Sequence, residues 1–84
     1  MSNNKYKILV VEDDRNICGF IQMILETNGY QVLTAERCMQ GLMVFSSHQP
    51  DVVVLDLGLP DMDGMEVLQD LRRWSLMPVV VVSA

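Results

Sequence analysis

Eighty-four residues, with six Lys and Arg against eleven Asp and Glu for a net charge of −5, allow one small domain. Half of the residues are apolar and one-fifth are charged, a composition that excludes a disordered chain. The acidic balance argues against direct binding of nucleic acid or of an anionic membrane through this segment. No apolar run approaches the roughly 18 residues that a membrane span needs. The start, Met1-Ser-Asn-Asn-Lys5, lacks a charged-then-apolar export pattern. Cys18 and Cys38 are too few for a disulfide framework. Together these features predict two reduced thiols in a cytoplasmic protein.

The first apolar run, residues 8–11, reads as a strand buried on both faces, as in a parallel sheet covered by helices. Ile17, Phe20, Ile21, Ile24 and Leu25 then recur at helical spacing as one apolar stripe. Asp14 is the expected N-cap and Asn28-Gly29 the expected stop. Residues 30–35 are more mixed, with Val32 and Thr34 on one face and Leu33 and Ala35 on the other, which suits an edge strand. Cys38, Gly41, Leu42 and Phe45 form a second helical stripe, ended by Gln49-Pro50. Residues 52–55 read as a second buried strand. Met65, Leu68 and Leu71 mark a third helix, with Asp63 as its N-cap and Arg72 and Arg73 at the end where the macrodipole favours cations. Residues 79–82, four valines, read as a last core strand.

The order β-α-β-α-β-α-β predicts an α/β fold with a doubly wound parallel sheet. Only Ser83 and Ala84 follow the valines. An intact domain of this kind does not end on an uncovered core strand, so the chain is expected to be truncated. Its all-Val edge is then a template for pairing with a second copy.

Ligands of open α/β sheets bind beyond the carboxyl ends of the strands. There the sequence places Glu12-Asp13-Asp14 after the first strand, Asp56 after the third and Ser83 after the fourth. Crowded carboxylates raise one another's pKa, and a hard cation such as Mg²⁺, which prefers oxygen ligands, relieves that repulsion. A carboxylate can also act as a nucleophile and form an aspartyl-phosphate. Acids after strands are often only helix caps or solvated loop residues, but independent loops have no reason to align them on successive strand ends.

Three segments carry a resemblance: Ile8-Leu-Val-Val-Glu-Asp-Asp14, Val54-Leu-Asp-Leu-Gly-Leu-Pro-Asp-Met-Asp-Gly64 and Pro78-Val-Val-Val-Val-Ser-Ala84. In this order and spacing they resemble the receiver domain of two-component response regulators, over essentially the whole chain. Leu55-Asp-Leu-Gly-Leu-Pro-Asp61 with Asp70-Leu-Arg-Arg-Trp-Ser75 looks closest to the subfamily that regulates the Kdp potassium-uptake operon. The resemblance implies a flavodoxin-like fold with strand order 2-1-3-4. Residues 1–84 would be the N-terminal part of a receiver, without its fifth strand, the Lys at the end of that strand, and its last two helices.

The resemblance also implies roles. Asp56 would accept a phosphoryl group from the phosphohistidine of a sensor histidine kinase. Glu12 and Asp13 would hold Mg²⁺ with Asp56, and the backbone carbonyl of Gly58 would complete the site. Ser83 would be the switch hydroxyl, and the N–H of Ala84 a donor to the phosphoryl group. Pro60 and Gly64 would shape the turn into the third helix. The module would be a switch and not a metabolic enzyme, and its parent protein would carry a DNA-binding output domain that this chain lacks.

Two other functions stay open at this level. A metal-dependent phosphohydrolase would use Asp61 or Asp63 in place of Asp56, and an interaction module would keep the acids without phosphorylation chemistry. Asp61-Met-Asp-Gly64 does not continue as a calcium loop, since position 12 counted from Asp61 is Arg72. Gly58 leaves the space beside the acceptor open, which favours faster loss of the phosphoryl group or is simple tolerance. His48 is expected on the surface near a helix end, Cys18 and Cys38 as buried or half-buried hydrophobes, Met39 and Met43 as adaptable core filler, and Trp74 packed over the third helix.

Overall fold

Val- and Ile-rich runs with few polar interruptions form strands because β-branched side chains pack well on a pleated surface covered from both sides. A computed structural model describes residues 6–56, 66, 69, 70, 72, 73 and 78–82. Their order is β1 (Lys7–Val11), α1 (Arg15–Thr27), β2 (Gln31–Ala35), α2 (Cys38–His48), β3 (Val52–Asp56) and β4 (Val79–Val82). All pairings are parallel and the sheet order is β2-β1-β3-β4, the doubly wound arrangement expected from the sequence. Glu66, Gln69, Asp70, Arg72 and Arg73 are helical, and Arg73 pairs with Asp70 one turn back at 3.8 Å. The stripe Met65, Leu68 and Leu71, the cap Asp63, and Trp74 lie outside the described residues.

β1 is central and carries the core. Leu9 and Val11 lie on one of its faces, Ile8 and Val10 on the other, and all four are buried. Leu9 and Val11 join Ala35, Cys38, Phe45, Val53 and Leu55 in one cluster, so α2 covers this side of the sheet. Gly41 brings α2 close to β1: a Cβ there would lie 2.9 Å from Val11 Cγ2. α1 starts at Asp14, whose carboxylate accepts from the amides of Asn16 (2.9 Å) and Ile17 (3.2 Å). It stops at Asn28, followed by Gly29 at φ 90°, a left-handed conformation that glycine adopts without a steric penalty. α2 ends on Gln49, also left-handed at φ 49°.

One apolar stripe is wider than its contact, and one expectation needs correction. The α1 stripe is only partly turned inward: Ile21 and Leu25 are half-buried, whereas Ile17, Phe20 and Ile24 are exposed. The helix rests on the sheet along Cys18, Ile21, Gln22 and Leu25, so its apolar arc is wider than its contact. Met39 and Met43 are not core filler. They are 57% and 68% exposed, because Cys38, Gly41 and Phe45 already turn the opposite side of α2 to the sheet. His48 is exposed, Cys38 is buried and Cys18 is half-buried.

Candidate functional site

Parallel pairing sets Val11 level with Leu55, so the next residue of each strand, Glu12 and Asp56, also stand side by side at the carboxyl edge of the sheet. Both are buried, at 6% and 7% exposure, while Asp13 is exposed. One carboxylate oxygen from each of Glu12, Asp13 and Asp56 lies within 4.8 Å of the others. The apolar strands anchor these acids, since Val10 and Val11 before Glu12, and Val53 and Leu55 before Asp56, are buried.

Backbone groups orient the cluster. The amide of Glu12 donates to the carbonyl of Ala35 at 3.0 Å, which ties the end of β1 to β2. The amide of Asp14 donates to Glu12 Oε1 at 3.0 Å. Sequence reading finds Asp14 as a helix cap but not as a donor to Glu12, because any residue other than proline supplies that amide.

Burial pushes the Glu12 carboxyl above the ordinary carboxylate range; the Asp14 amide opposes this, and the negative charge of Asp56, a hydrogen bond with it, and Asp13 reinforce it. A cation bound to these crowded oxygens offsets the burial and repulsion that raise this acid. The donor set consists only of carboxylate oxygens, which suits a hard divalent ion such as Mg²⁺. Beside it, between α1 and β2, is a cleft of about 160 Å³ lined in part by Glu12, Arg15, Cys18 and Glu36. Burial, then the charges of Glu12 and Glu36, push the Cys18 thiol up, so this cysteine is not an activated nucleophile.

Of the sequence-derived site residues, Glu12, Asp13 and Asp56 therefore come together. Gly58, Ser83 and Ala84 lie outside the described residues, as do Pro60, Asp61, Asp63 and Gly64. Among the described residues no helix is long and apolar enough to cross a membrane.

The family model of the response regulator receiver domain matches residues 8–84. The KDP operon transcriptional regulatory protein KdpE of Escherichia coli is 47% identical over 77 residues, covering 92% of this chain and 34% of that protein. The alkaline phosphatase synthesis regulator PhoP of Bacillus subtilis is 42% identical over 79 residues, covering 93% and 33%. The chain thus spans about a third of the length of these relatives. Among solved structures, the BeF3-activated receiver domain of Klebsiella pneumoniae RstA superposes with a TM-score of 0.87 at 34% identity, over 92% of this chain and 66% of that one. A CheY-like receiver protein of Methanospirillum hungatei gives 0.91 at 31% identity, over 95% and 65%. Sequence and fold agree, and the chain belongs to the receiver-domain family of response regulators.

Proposed function

We propose that this chain is a phosphoacceptor switch in which Asp56 takes a phosphoryl group from the phosphohistidine of a sensor histidine kinase. The observation that carries the reading is the meeting of Glu12, Asp13 and Asp56 at the ends of two adjacent central strands. The Asp56 carboxylate is the nucleophile: one of its oxygens bonds to phosphorus as the bond to the donor imidazole breaks. Glu12 and Asp13 hold Mg²⁺ with Asp56, and the Gly58 carbonyl is the proposed fourth protein ligand. When bound, the ion supplies charge neutralisation and orients the phosphate. The Ser83 hydroxyl and the Ala84 N–H are proposed to turn toward the new phosphoryl group. That group brings roughly −1.5 to −2 charge and three acceptor oxygens, so it attracts both donors and biases the end of β4.

The relatives are named as transcriptional regulators. The corresponding proposal here is a receiver, residues 1–84, that belongs to a cytoplasmic protein with a DNA-binding output domain, in the Kdp-type case acting on potassium-transport genes. This segment itself makes no nucleic-acid or membrane contact in the proposal, consistent with its charge of −5. Homodimer formation through β4 belongs to the same reading. It is supported by the position of β4 at a sheet edge and by Val80 and Val81, exposed at 52% and 44%.

The test is the intact mass of the chain after incubation with Mg²⁺ and an acyl-phosphate donor. One phosphoryl adduct is expected on the wild type and none on Asp56→Asn. An adduct that persists on Asp56→Asn, or that moves only with Asp61 or Asp63, overturns the assignment and favours the phosphohydrolase chemistry.

A further inference from the structure

α2 has an outer face that the phosphoacceptor chemistry does not use. Met39, Met43, Ser46 and Ser47 are exposed there and, with half-buried Leu42, line a shallow groove of about 420 Å³. The helix contains no Asp, Glu, Lys or Arg over its 11 residues; His48, at its last position, is its only basic residue. The chain as a whole carries −5, with eight of its eleven acids at residues 12–14, 56 and 61–70, and the others, Glu26, Glu36 and Asp51, outside α2. Two copies that meet at the acidic edge bring like charges together, whereas two copies that meet on α2 do not.

We propose that the outer face of α2 is a self-association surface whose occupant is the same face of a second copy. The stripe runs from large to small, Met39 and Met43 toward the start and Ser46 and Ser47 toward the end. With the two-fold axis perpendicular to the helices they pack antiparallel, so each Met39 lies over the partner's serines and the two Met43 side chains meet near the axis. Unbranched methionines fill such an irregular seam readily. The antiparallel arrangement also sets each helix N-terminus beside the other's C-terminus. One short helix face is smaller than a standard stable interface, so association is weak and appears only at high protein concentration. This surface lies over β1 and β2, at the opposite end of the sheet from β4, so the two modes of self-association can be separated by mutation.

Sedimentation of the 84-residue chain over a hundredfold concentration range tests this. The weight-average mass is expected to rise toward that of a dimer, and more steeply at high salt, which screens the net repulsion. Met43→Lys and, separately, Ser46→Lys are expected to hold the chain monomeric over the same range with an unchanged circular-dichroism spectrum. In a Cys18→Ser background, Met43→Cys is expected to give a disulfide dimer on mild oxidation with a small-molecule disulfide. A mass that stays monomeric throughout overturns the proposal. So does association that survives both lysine variants, or that is lost only with Val80→Lys or Val81→Lys, the outcome that assigns it to β4.

Discussion

The carboxyl groups of Glu12 and Asp56 stand beside each other at the ends of β1 and β3, both buried, with an oxygen of each within 4.8 Å of the other. Burial disfavours a charged carboxylate, and a second acid beside it adds repulsion. Both effects push the Glu12 carboxyl above the ordinary carboxylate range. A divalent cation held by these oxygens offsets that repulsion.

The pH dependence follows in sign. The folded-state pKa of Glu12 is raised above its ordinary 4.5, so the native state holds a proton that the unfolded state releases as pH rises through the carboxylate range. Stability contributed by this group is present below that range and is lost as pH rises through the folded value. In chelator, Glu12→Gln is therefore expected to melt above the wild type at about pH 7, with the gap closing toward about pH 4. Added Mg²⁺ is expected to raise the melting temperature of the wild type by preferential binding to the native state. Glu12→Gln and Asp13→Asn are expected to lose most of that rise. A Glu12→Gln variant less stable than the wild type at neutral pH in chelator contradicts the upward shift of Glu12.

The two helix-interior glycines give a contrasting pair. A Cβ on Gly19 meets nothing within 4 Å, so Gly19→Ala is expected to gain the helix-propensity difference, about 0.5–1 kcal/mol. Gly41→Ala gains the same propensity but sets its Cβ 2.9 Å from Val11 Cγ2. Val11 is stiff at χ1 and is held by Ala35 on one side and Leu55 on the other. Overpacking of this kind costs about 1–3 kcal/mol, so Gly41→Ala is expected to be net destabilising. Denaturant midpoints decide it: two shifts of the same sign remove the close contact from the argument.

Much of the sheet and its acidic edge was legible because the central strands announce themselves. Residues 8–11 and 52–55 are apolar on both faces, and in a parallel sheet the residue after each strand falls on one rim, so Glu12 and Asp56 share an edge; the pairing of β1 with β3 makes them neighbours. The caps were legible for the same local reason: Asp14 and Asn28-Gly29 act within one helical turn of themselves. What a helical stripe does not tell is how much of its arc the sheet covers. Ile17, Phe20 and Ile24 repeat at the same spacing as Ile21 and Leu25, yet only the latter two face inward. Met39 and Met43 were misread likewise, since methionine serves equally in a core and on a contact surface. The close approach of Gly41 to Val11 depends on a tertiary distance that no local pattern encodes.

The cap at Asp14 can be measured apart from the metal site. Its side chain accepts from two amides, those of Asn16 and Ile17, while its own amide serves Glu12. Asp14→Ala removes the first function and keeps the second, so about 1 kcal/mol of stability is expected to go with Mg²⁺ affinity nearly unchanged. Asp14→Asn retains the cap and is expected to stay close to the wild type. A large loss of Mg²⁺ affinity in Asp14→Ala makes the carboxylate a participant in the ion site and not only a cap.

Burial predicts opposite fates for two large apolar residues of adjoining elements. Leu9 is 1% exposed at the centre of β1, whereas Phe20 is 60% exposed on α1. Leu9→Ala removes a fully packed side chain and leaves a cavity between the sheet and α2, at a cost of about 2–5 kcal/mol. A domain of this size holds only about 5–10 kcal/mol in total, so the variant is expected to be largely unfolded at 37 °C. Phe20→Ser withdraws a ring that water already reaches and is expected to shift stability by less than about 1 kcal/mol. Equal losses in the two variants require that something in the folded chain covers the Ile17–Phe20–Ile24 flank. Proton exchange along α1 then decides the matter, because a covered flank slows opening of that helix relative to α2, and an open one does not.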